Sequence, residues 1–172
     1  PFDPVTKAAP PATLREGPSP FVLVKQGSGS KSGSGAGVQG LVVDSLRGYV
    51  FIANTHNGEI YVVDIKNKKQ LNTWENFPSD IQNSGAAPVS MVLIGDTETM
   101  FVCSPSGFLI YNISNVQAKA LPVLAKSEMA CYDSVYHANR VYVSQYAFTD
   151  KTSPGREGGV FSFDVADPAN PV

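Results

Sequence analysis

The stretch from Val38 to Phe77, VQGLVVDSLRGYVFIANTHNGEIYVVDIKNKKQLNTWENF, decides the fold of this 172-residue chain. It contains an apolar strand, the polar turn DSLRG, a second strand YVFIAN, a turn with Gly58, and a third strand EIYVVDI. Short runs of Val, Ile, Tyr and Phe bounded by Gly, Asn and Asp predict β-strands joined by tight turns. No helical stripe interrupts the pattern, so we expect a small antiparallel sheet.

The same order of strands and turns recurs twice downstream. Pro88 to Ser127 and Ala130 to Val172 each contain an apolar strand, a polar turn, a second strand, a Gly-containing turn and a third strand. Asp64, Asn112 and Asp164 close the three third strands, at spacings of 48 and 52 residues. A repeat of about 40 to 50 residues built from short β-strands is typical of a β-propeller blade, in which four antiparallel strands form one sheet.

The predicted fold is all-β, with antiparallel four-stranded blades of a β-propeller. About three blades are present, with boundaries at 38–87, 88–129 and 130–172. Six prolines predict an extended arm over residues 1–20, because proline removes backbone donors from a sheet. Residues 21–37 combine a short strand, FVLVK, with the Gly/Ser-rich sequence GSGSKSGSGAG, which predicts a flexible loop.

Three blades are too few for a closed ring, because propellers close with about four to eight. An open stack leaves two apolar sheet faces in water, and monomers rarely tolerate such patches. We therefore expect other chains or missing sequence to complete the ring. Either the chain is a fragment or a nicked product, or identical copies associate and Phe21 to Lys25 of one copy supplies the outer strand that is missing after Val172 of another. An unrelated β-fold is the third alternative.

The end of the third repeat carries a resemblance to a known family. Residues 160–172, VFSFDVADPANPV, resemble the LVIVD-type surface repeat, in which a strand ends in a turn of the form D-x-x-D-P-x-x-P. The matching positions are Asp164, Asp167, Pro168 and Pro171. Asp64 in the first repeat matches the leading Asp alone, and the second repeat has Asn112 there. The resemblance implies an extracellular or cell-surface interaction module; lactonase-like propellers are a more distant likeness.

Composition excludes two classes of partner. The formal net charge is −2, from 13 Lys and Arg against 15 Asp and Glu, with no run of either sign. Such a chain lacks the basic patch that nucleic acids or anionic membrane surfaces require. Its longest apolar stretches are far shorter than the roughly 20 residues that cross a bilayer. We expect no nucleic acid partner and no membrane span.

The two cysteines leave the redox state open. Two thiols can form one disulfide, a reactive pair, or two small buried side chains. Cys103 and Cys131 both have apolar or aromatic neighbours. The sequence therefore favours buried thiols.

Propeller geometry sorts the loops before any site is proposed. Turns between second and third strands open on the same face of the ring as the links between blades. The binding candidates on that face are Asn54, His56, Asp133, Tyr146, Phe148, Lys151 and Arg156. The last four lie in the long loop that departs most from the repeat, and binding concentrates in loops on rigid scaffolds. His137 lies in a turn on the opposite face, so a metal site shared with His56 is not expected.

The sequence favours a non-catalytic module over an enzyme. There is no serine in a G-x-S-x-G elbow, which argues against nucleophilic catalysis. Asp133 and Asn54 are candidate ligands for Ca²⁺ or another divalent ion in the lactonase-like alternative, because such ions prefer carboxylate and amide oxygens. Tight turns require the same residue types for steric reasons. We therefore expect no cofactor unless the enzyme alternative holds.

Two further predictions concern the surface. Asn112-Ile113-Ser114 is a formal acceptor for N-glycosylation, although such triplets also arise by chance and this one ends a strand. Exposed aromatic residues of the long loop favour a protein or glycan ligand, although they also anchor loops.

Overall fold

The computed structural model describes residues 38–55, 58–75, 88–96, 98–145 and 158–172, which form strands and turns without a helix. The all-β prediction is confirmed. The strands are β1 (Val38–Asp44), β2 (Tyr49–Asn54), β3 (Glu59–Asp64), β4 (Lys69–Glu75), β5 (Ser90–Leu93), β6 (Thr99–Ser104), β7 (Gly107–Asn112), β8 (Val123–Ser127), β9 (Asp133–His137), β10 (Arg140–Gln145) and β11 (Gly159–Asp164).

These strands form three antiparallel sheets in chain order. Blade 1 has the order β1-β2-β3-β4, blade 2 has β5-β6-β7-β8, and blade 3 has β9-β10-β11. In blade 1 the outer strand begins where Lys69 pairs with Asp64. The equivalent pairing begins in blade 3, where Val172 N donates to Asp164 O at 3.1 Å. The antiparallel blade architecture predicted from the repeat is therefore present, and the stack of three blades is open.

Alternate residues of a strand point to opposite sides of the sheet, so each blade has two faces. The blades stack on each other through these faces. We call the side of a blade that faces the preceding blade its upstream face, and the other its downstream face. Blade 1 packs its downstream residues Phe51, Val62 and Trp74 against the upstream residues Leu109 and Ile113 of blade 2. Both faces of blade 2 are covered, so β6 is buried along its whole length. This is why the strand reads as a nearly continuous apolar run.

The interface between blades 2 and 3 repeats the first. Phe101, Phe108 and Ile110 on the downstream face of blade 2 contact Val141 and Val165 of blade 3. Apolar residues from two neighbouring blades thus form each of these two interfaces. The free energy of folding therefore depends on stacking.

One hydrogen bond recurs at the same place in each blade. The backbone N–H that follows the third strand donates to the turn between the first two strands: Ile65 N to Gly48 O at 3.0 Å, Ile113 N to Glu98 O at 2.7 Å, and Val165 N to Asn139 O at 2.8 Å. The exposed fractions of these side chains differ, with Ile113 at 0%, Val165 at 2% and Ile65 at 37%. The first two each pack on a preceding blade, whereas no described blade precedes Ile65.

The downstream end of the stack is more polar than the faces inside it. Tyr142, Val160 and Ser162 occupy the positions that Phe101, Phe108 and Ile110 hold in blade 2. Val160 is 75% exposed. Arg140 donates a hydrogen bond to Ser162 Oγ at 2.9 Å on this side.

The two cysteines form a disulfide, which is one of the three alternatives that the sequence left open, so the favoured interpretation as two buried thiols is wrong. Both side chains are fully buried, as expected from their neighbours. The reason is topological: the segment after β8 returns beside β6, where Cys131 N donates to Ser104 O at 2.9 Å. The Cα atoms of Cys103 and Cys131 are 5.4 Å apart as a result, which is within disulfide reach.

Some predictions lie outside the described residues. The Pro-rich arm at 1–20 and the strand and Gly/Ser-rich loop at 21–37 belong to this group. Across the ranges that the structure describes, no helix is long and apolar enough to cross a bilayer.

Candidate binding groove

A groove of about 640 Å³ lies along the edge of the stacked blades at which their first strands begin. Every blade or its entry segment contributes to it. The lining residues are Gln39, Thr55, Val89, Pro105, Tyr132 and Asp133. Four of these side chains carry a polar group and two are apolar. Such a mixture is common in binding sites. We call this feature the entry groove.

Short-range contacts between blades 1 and 2 shape one wall of the entry groove. Thr55 Oγ1 donates to Pro88 O at 2.8 Å, which ties the turn after β2 to the residue entering β5. Gly40 allows the close approach of β1 to the same segment, since a Cβ atom there would lie 3.1 Å from Val89 O. The sequence therefore needs a small residue at position 40.

The Asp133 carboxylate is fixed in position at the other wall. Ser90 Oγ donates to Asp133 Oδ1 at 2.9 Å, and Ser134 N donates to the same oxygen at 2.8 Å. Ser134 N also donates to Ser90 Oγ at 3.2 Å, so the three residues form one closed hydrogen-bond network. Among the described residues no donor bonds Asp133 Oδ2. The side chain is exposed, so one oxygen is held and the other is open to a ligand.

Asn54 occupies a different environment from Asp133. It is 1% exposed, and its Nδ2 donates to Tyr61 Oη at 3.0 Å. Glu59 Oε2 lies 3.4 Å from the same nitrogen and accepts from Tyr61 Oη at 2.5 Å. The amide is therefore directed into blade 1, and Asn54 is not among the lining residues of the entry groove.

The remaining predictions concern five loop residues and a metal site. His56, Tyr146, Phe148, Lys151 and Arg156 lie outside the described residues. Within the described part of the chain, no three His, Cys, Asp or Glu side chains group as metal ligands do. The Ca²⁺ site on Asp133 and Asn54 remains a prediction.

The predicted glycosylation acceptor and the second histidine lie away from the entry groove. Asn112 is half-buried at the end of β7, and its Oδ1 accepts from Ser114 N at 2.9 Å. Its glycosylation stays a prediction. His137 is exposed at the far end of β9 from Asp133, so the two side chains lie at opposite ends of one strand.

Sequence reasoning did not single out Gln39, Val89 and Pro105, because each is an ordinary residue in its own repeat. It also missed Arg47, which joins blades 1 and 2 at the opposite edge of the stacked blades, where their first strands end. Arg47 Nε lies 2.5 Å from Asp44 Oδ2, and its NH1 donates to Ile113 O at 2.9 Å. An Asp and an Arg within one short turn, DSLR, were the available signal.

Solved structures that resemble this chain include the following two. A β-propeller domain of Cps50 (Swd1) from Myceliophteria thermophila matches 63% of this chain and 35% of its own length, with 12% identity and a TM-score of 0.50. Hydrazine synthase from Kuenenia stuttgartiensis matches 78% of this chain and 36% of its own length, with 11% identity and a TM-score of 0.58. No protein-family model and no curated protein matches the sequence.

These likenesses support a β-propeller fold and leave the LVIVD-type family unconfirmed. The chain spans little more than a third of the length of either matched structure.

Proposed function

We propose that this chain is a non-catalytic β-propeller module that binds a partner protein, and that the entry groove receives a Lys or Arg side chain of that partner. The observation that carries the proposal is the Asp133 carboxylate, held by Ser90 and Ser134 on one oxygen and open on the other. A charged group that is already oriented loses little conformational freedom on binding. Asp133 is the one charged residue among the lining residues, so a cationic group complements it.

The neighbouring side chains suit such a ligand. Tyr132 and Pro105 line the groove. Ring side chains of this kind pack on the aliphatic part of Lys or Arg, and an aromatic face attracts a cation. Thr55 and Gln39 add polar groups along the same groove.

The proposed setting is extracellular or on the cell surface. The resemblance of residues 160–172 to LVIVD-type repeats supports this location. The disulfide between Cys103 and Cys131 also supports it, because disulfides persist in oxidising compartments. Other chains that complete the ring are further proposed partners, since the described stack has two open ends.

A lactonase-like hydrolase that needs a divalent ion is the second candidate. The open Oδ2 of Asp133 is the observation that favours it, because Ca²⁺ prefers carboxylate oxygens. The amide of Asn54, however, is bonded to Tyr61 inside blade 1. The non-catalytic function is therefore the better supported of the two.

A library of fluorescein-labelled hexapeptides with one fixed residue per pool tests the proposal by fluorescence polarisation. We expect pools with fixed Lys or Arg to bind, and Asp133→Asn to weaken that binding at least tenfold. Asp96→Asn is the matched control, because Asp96 is an exposed acid at the other end of the stack. Equal binding by wild type and Asp133→Asn would contradict the proposal.

Titration calorimetry with CaCl₂ separates the two candidates. Tight Ca²⁺ binding that Asp133→Asn abolishes would support the hydrolase and overturn the cation-binding proposal. We expect no such binding.

A further inference from the structure

The disulfide between Cys103 and Cys131 adjoins four of the six residues that line the entry groove. They are Val89, Pro105, Tyr132 and Asp133. The first donates from its backbone N–H to Cys103 O at 2.9 Å, and the second lies two positions after Cys103. The third and fourth directly follow Cys131. A change in this disulfide therefore acts on the lining of the groove.

Residues 128–132 link β8 of blade 2 to β9 of blade 3 and include Cys131. Two backbone hydrogen bonds hold the end of this linker, from Cys131 N to Ser104 O and from Tyr132 N to Ser144 O, each at 2.9 Å. The disulfide adds a covalent bond from the linker to β6. It thus fixes the backbone one residue before Tyr132 and two residues before Asp133.

The equivalent junction between blades 1 and 2 has no cysteine and uses a hydrogen bond instead. The strands β2 and β6 are equal in length, so Ala53 occupies the position of Cys103. Thr55 likewise occupies the position of Pro105, and its Oγ1 donates to Pro88 O at 2.8 Å. Proline has no hydroxyl group, so Pro105 cannot make that bond. The wall of the groove at the second junction therefore depends on a bond that a reductant can break.

We propose that this disulfide controls the entry groove. When the disulfide is formed, Tyr132 and Asp133 are held in position to bind a cationic side chain; when it is reduced, they are released and binding weakens. The inference rests on the proposed function of the entry groove and adds its regulation. Disulfides persist in oxidising compartments, whereas thiols are kept reduced in the cytosol. Binding of a Lys or Arg side chain is then confined to oxidising compartments.

Reduction is a thiol–disulfide exchange with a dithiol. One thiolate of the dithiol attacks a sulfur of the disulfide, and its second thiolate resolves the mixed disulfide. The dithiol becomes a disulfide, Cys103 and Cys131 become thiols, and two electrons and two protons are transferred. Both cysteine side chains are fully buried, so the attack requires local opening of residues 128–132, which costs less than unfolding the blades. The thiols that form remain compatible with the core, because a buried cysteine packs as a small apolar side chain.

Hydrogen exchange and peptide binding test the proposal on the full chain, oxidised and after reduction by dithiothreitol. Intact mass after alkylation of a denatured aliquot gives the reduced fraction. We expect the amide protons of Cys131 and Tyr132 to exchange about tenfold faster after reduction. The amide proton of Ile65, bonded to Gly48 O in blade 1, should exchange at an unchanged rate. Peptide pools with fixed Lys or Arg should bind the reduced chain about tenfold more weakly, because two side chains must be ordered again on binding.

Two variants complete the binding measurement. Cys103→Ala/Cys131→Ala should bind the Lys and Arg pools as weakly as the reduced wild type, with or without dithiothreitol. Thr55→Val is the matched control, because it removes the side-chain hydrogen bond of the other junction and leaves the disulfide intact. Its binding should still weaken on reduction.

The outcomes separate this inference from the proposed function. If the oxidised chain binds no pool, the proposed function fails and the inference fails with it. If the oxidised and reduced chains bind equally well, or the Cys131 and Tyr132 amides exchange at unchanged rates, the inference alone is overturned. Faster exchange at Ile65 to the same extent as at Cys131 would also overturn it, because the disulfide would then support the whole fold rather than the groove.

Discussion

Stacking of the blades predicts very different costs for the same substitution at two equivalent positions. Ile113→Ala removes a side chain that is 0% exposed between blades 1 and 2. The change deletes three methylene-sized groups at ~0.8 kcal/mol each and leaves a cavity that adds about 1 kcal/mol or more. The expected loss in the free energy of unfolding is about 3–4 kcal/mol.

Ile65→Ala is the matched control, because Ile65 follows β3 as Ile113 follows β7 and makes the same backbone hydrogen bond. Its side chain is already 37% exposed and has no preceding blade among the described residues. Part of the apolar surface of Ile65 is therefore already in water, and its removal leaves no closed cavity. We expect a loss of about 1–1.5 kcal/mol.

Urea denaturation followed by circular dichroism measures both values. At an m value of about 2 kcal/mol/M, a difference of about 2 kcal/mol separates the two midpoints by about 1 M. Equal midpoints for the two variants, or a loss below about 1 kcal/mol for Ile113→Ala, would refute the stacking of blade 2 on blade 1.

Three further predictions concern local features. Reduction of the disulfide, which closes a loop of 28 residues, is expected to cost about 3–4 kcal/mol and to lower Tm, and intact mass with and without reductant verifies the bond. Gly107→Ala places a Cβ atom against Ser127 O at a positive φ, so we expect the free energy of unfolding measured by urea denaturation to fall by about 3 kcal/mol or more. Gly48→Ala is the control and should lower the free energy of unfolding less, because its Cβ atom would meet open space. Hydrogen bonds from Asn67 hold the pKa of Asp64 below its usual 3.8. Its stabilising contribution is therefore present above pH 3.8 and disappears as the pH falls through the lower folded value. Asp64→Asn should flatten the fall in stability below about pH 4, and an unchanged acid limb would contradict this.

The strands were predictable from the sequence because their signals are local. The second strand predicted in each repeat coincides with β2 (YVFIAN), β6 (TMFVCS) and β10 (RVYVSQ). Each is a run of β-branched and aromatic residues with a turn at both ends. The turns fix the register of each hairpin, so the antiparallel sheets follow from the same pattern.

The candidate site depended on contacts that the sequence does not display. Asn54 ends β2 next to the lining residue Thr55, yet its amide points inward to Tyr61. The cysteine pairing required the return of the chain beside β6, which no repeat pattern shows. Val89 and Pro105 line the groove because the blades stack at a particular spacing. The position of Asp133 was predictable, because it begins the first strand of its repeat.

The indole N–H of Trp74, the single tryptophan of the chain, gives the most direct test of the stacked-blade account. Trp74 belongs to β4 of blade 1, is 5% exposed, and donates from Nε1 to Ala118 O of blade 2 at 3.0 Å. The account predicts one slowly exchanging indole resonance with nuclear Overhauser contacts to Ala118 and Val116. A rapidly exchanging indole N–H with contacts to blade 1 alone would contradict it.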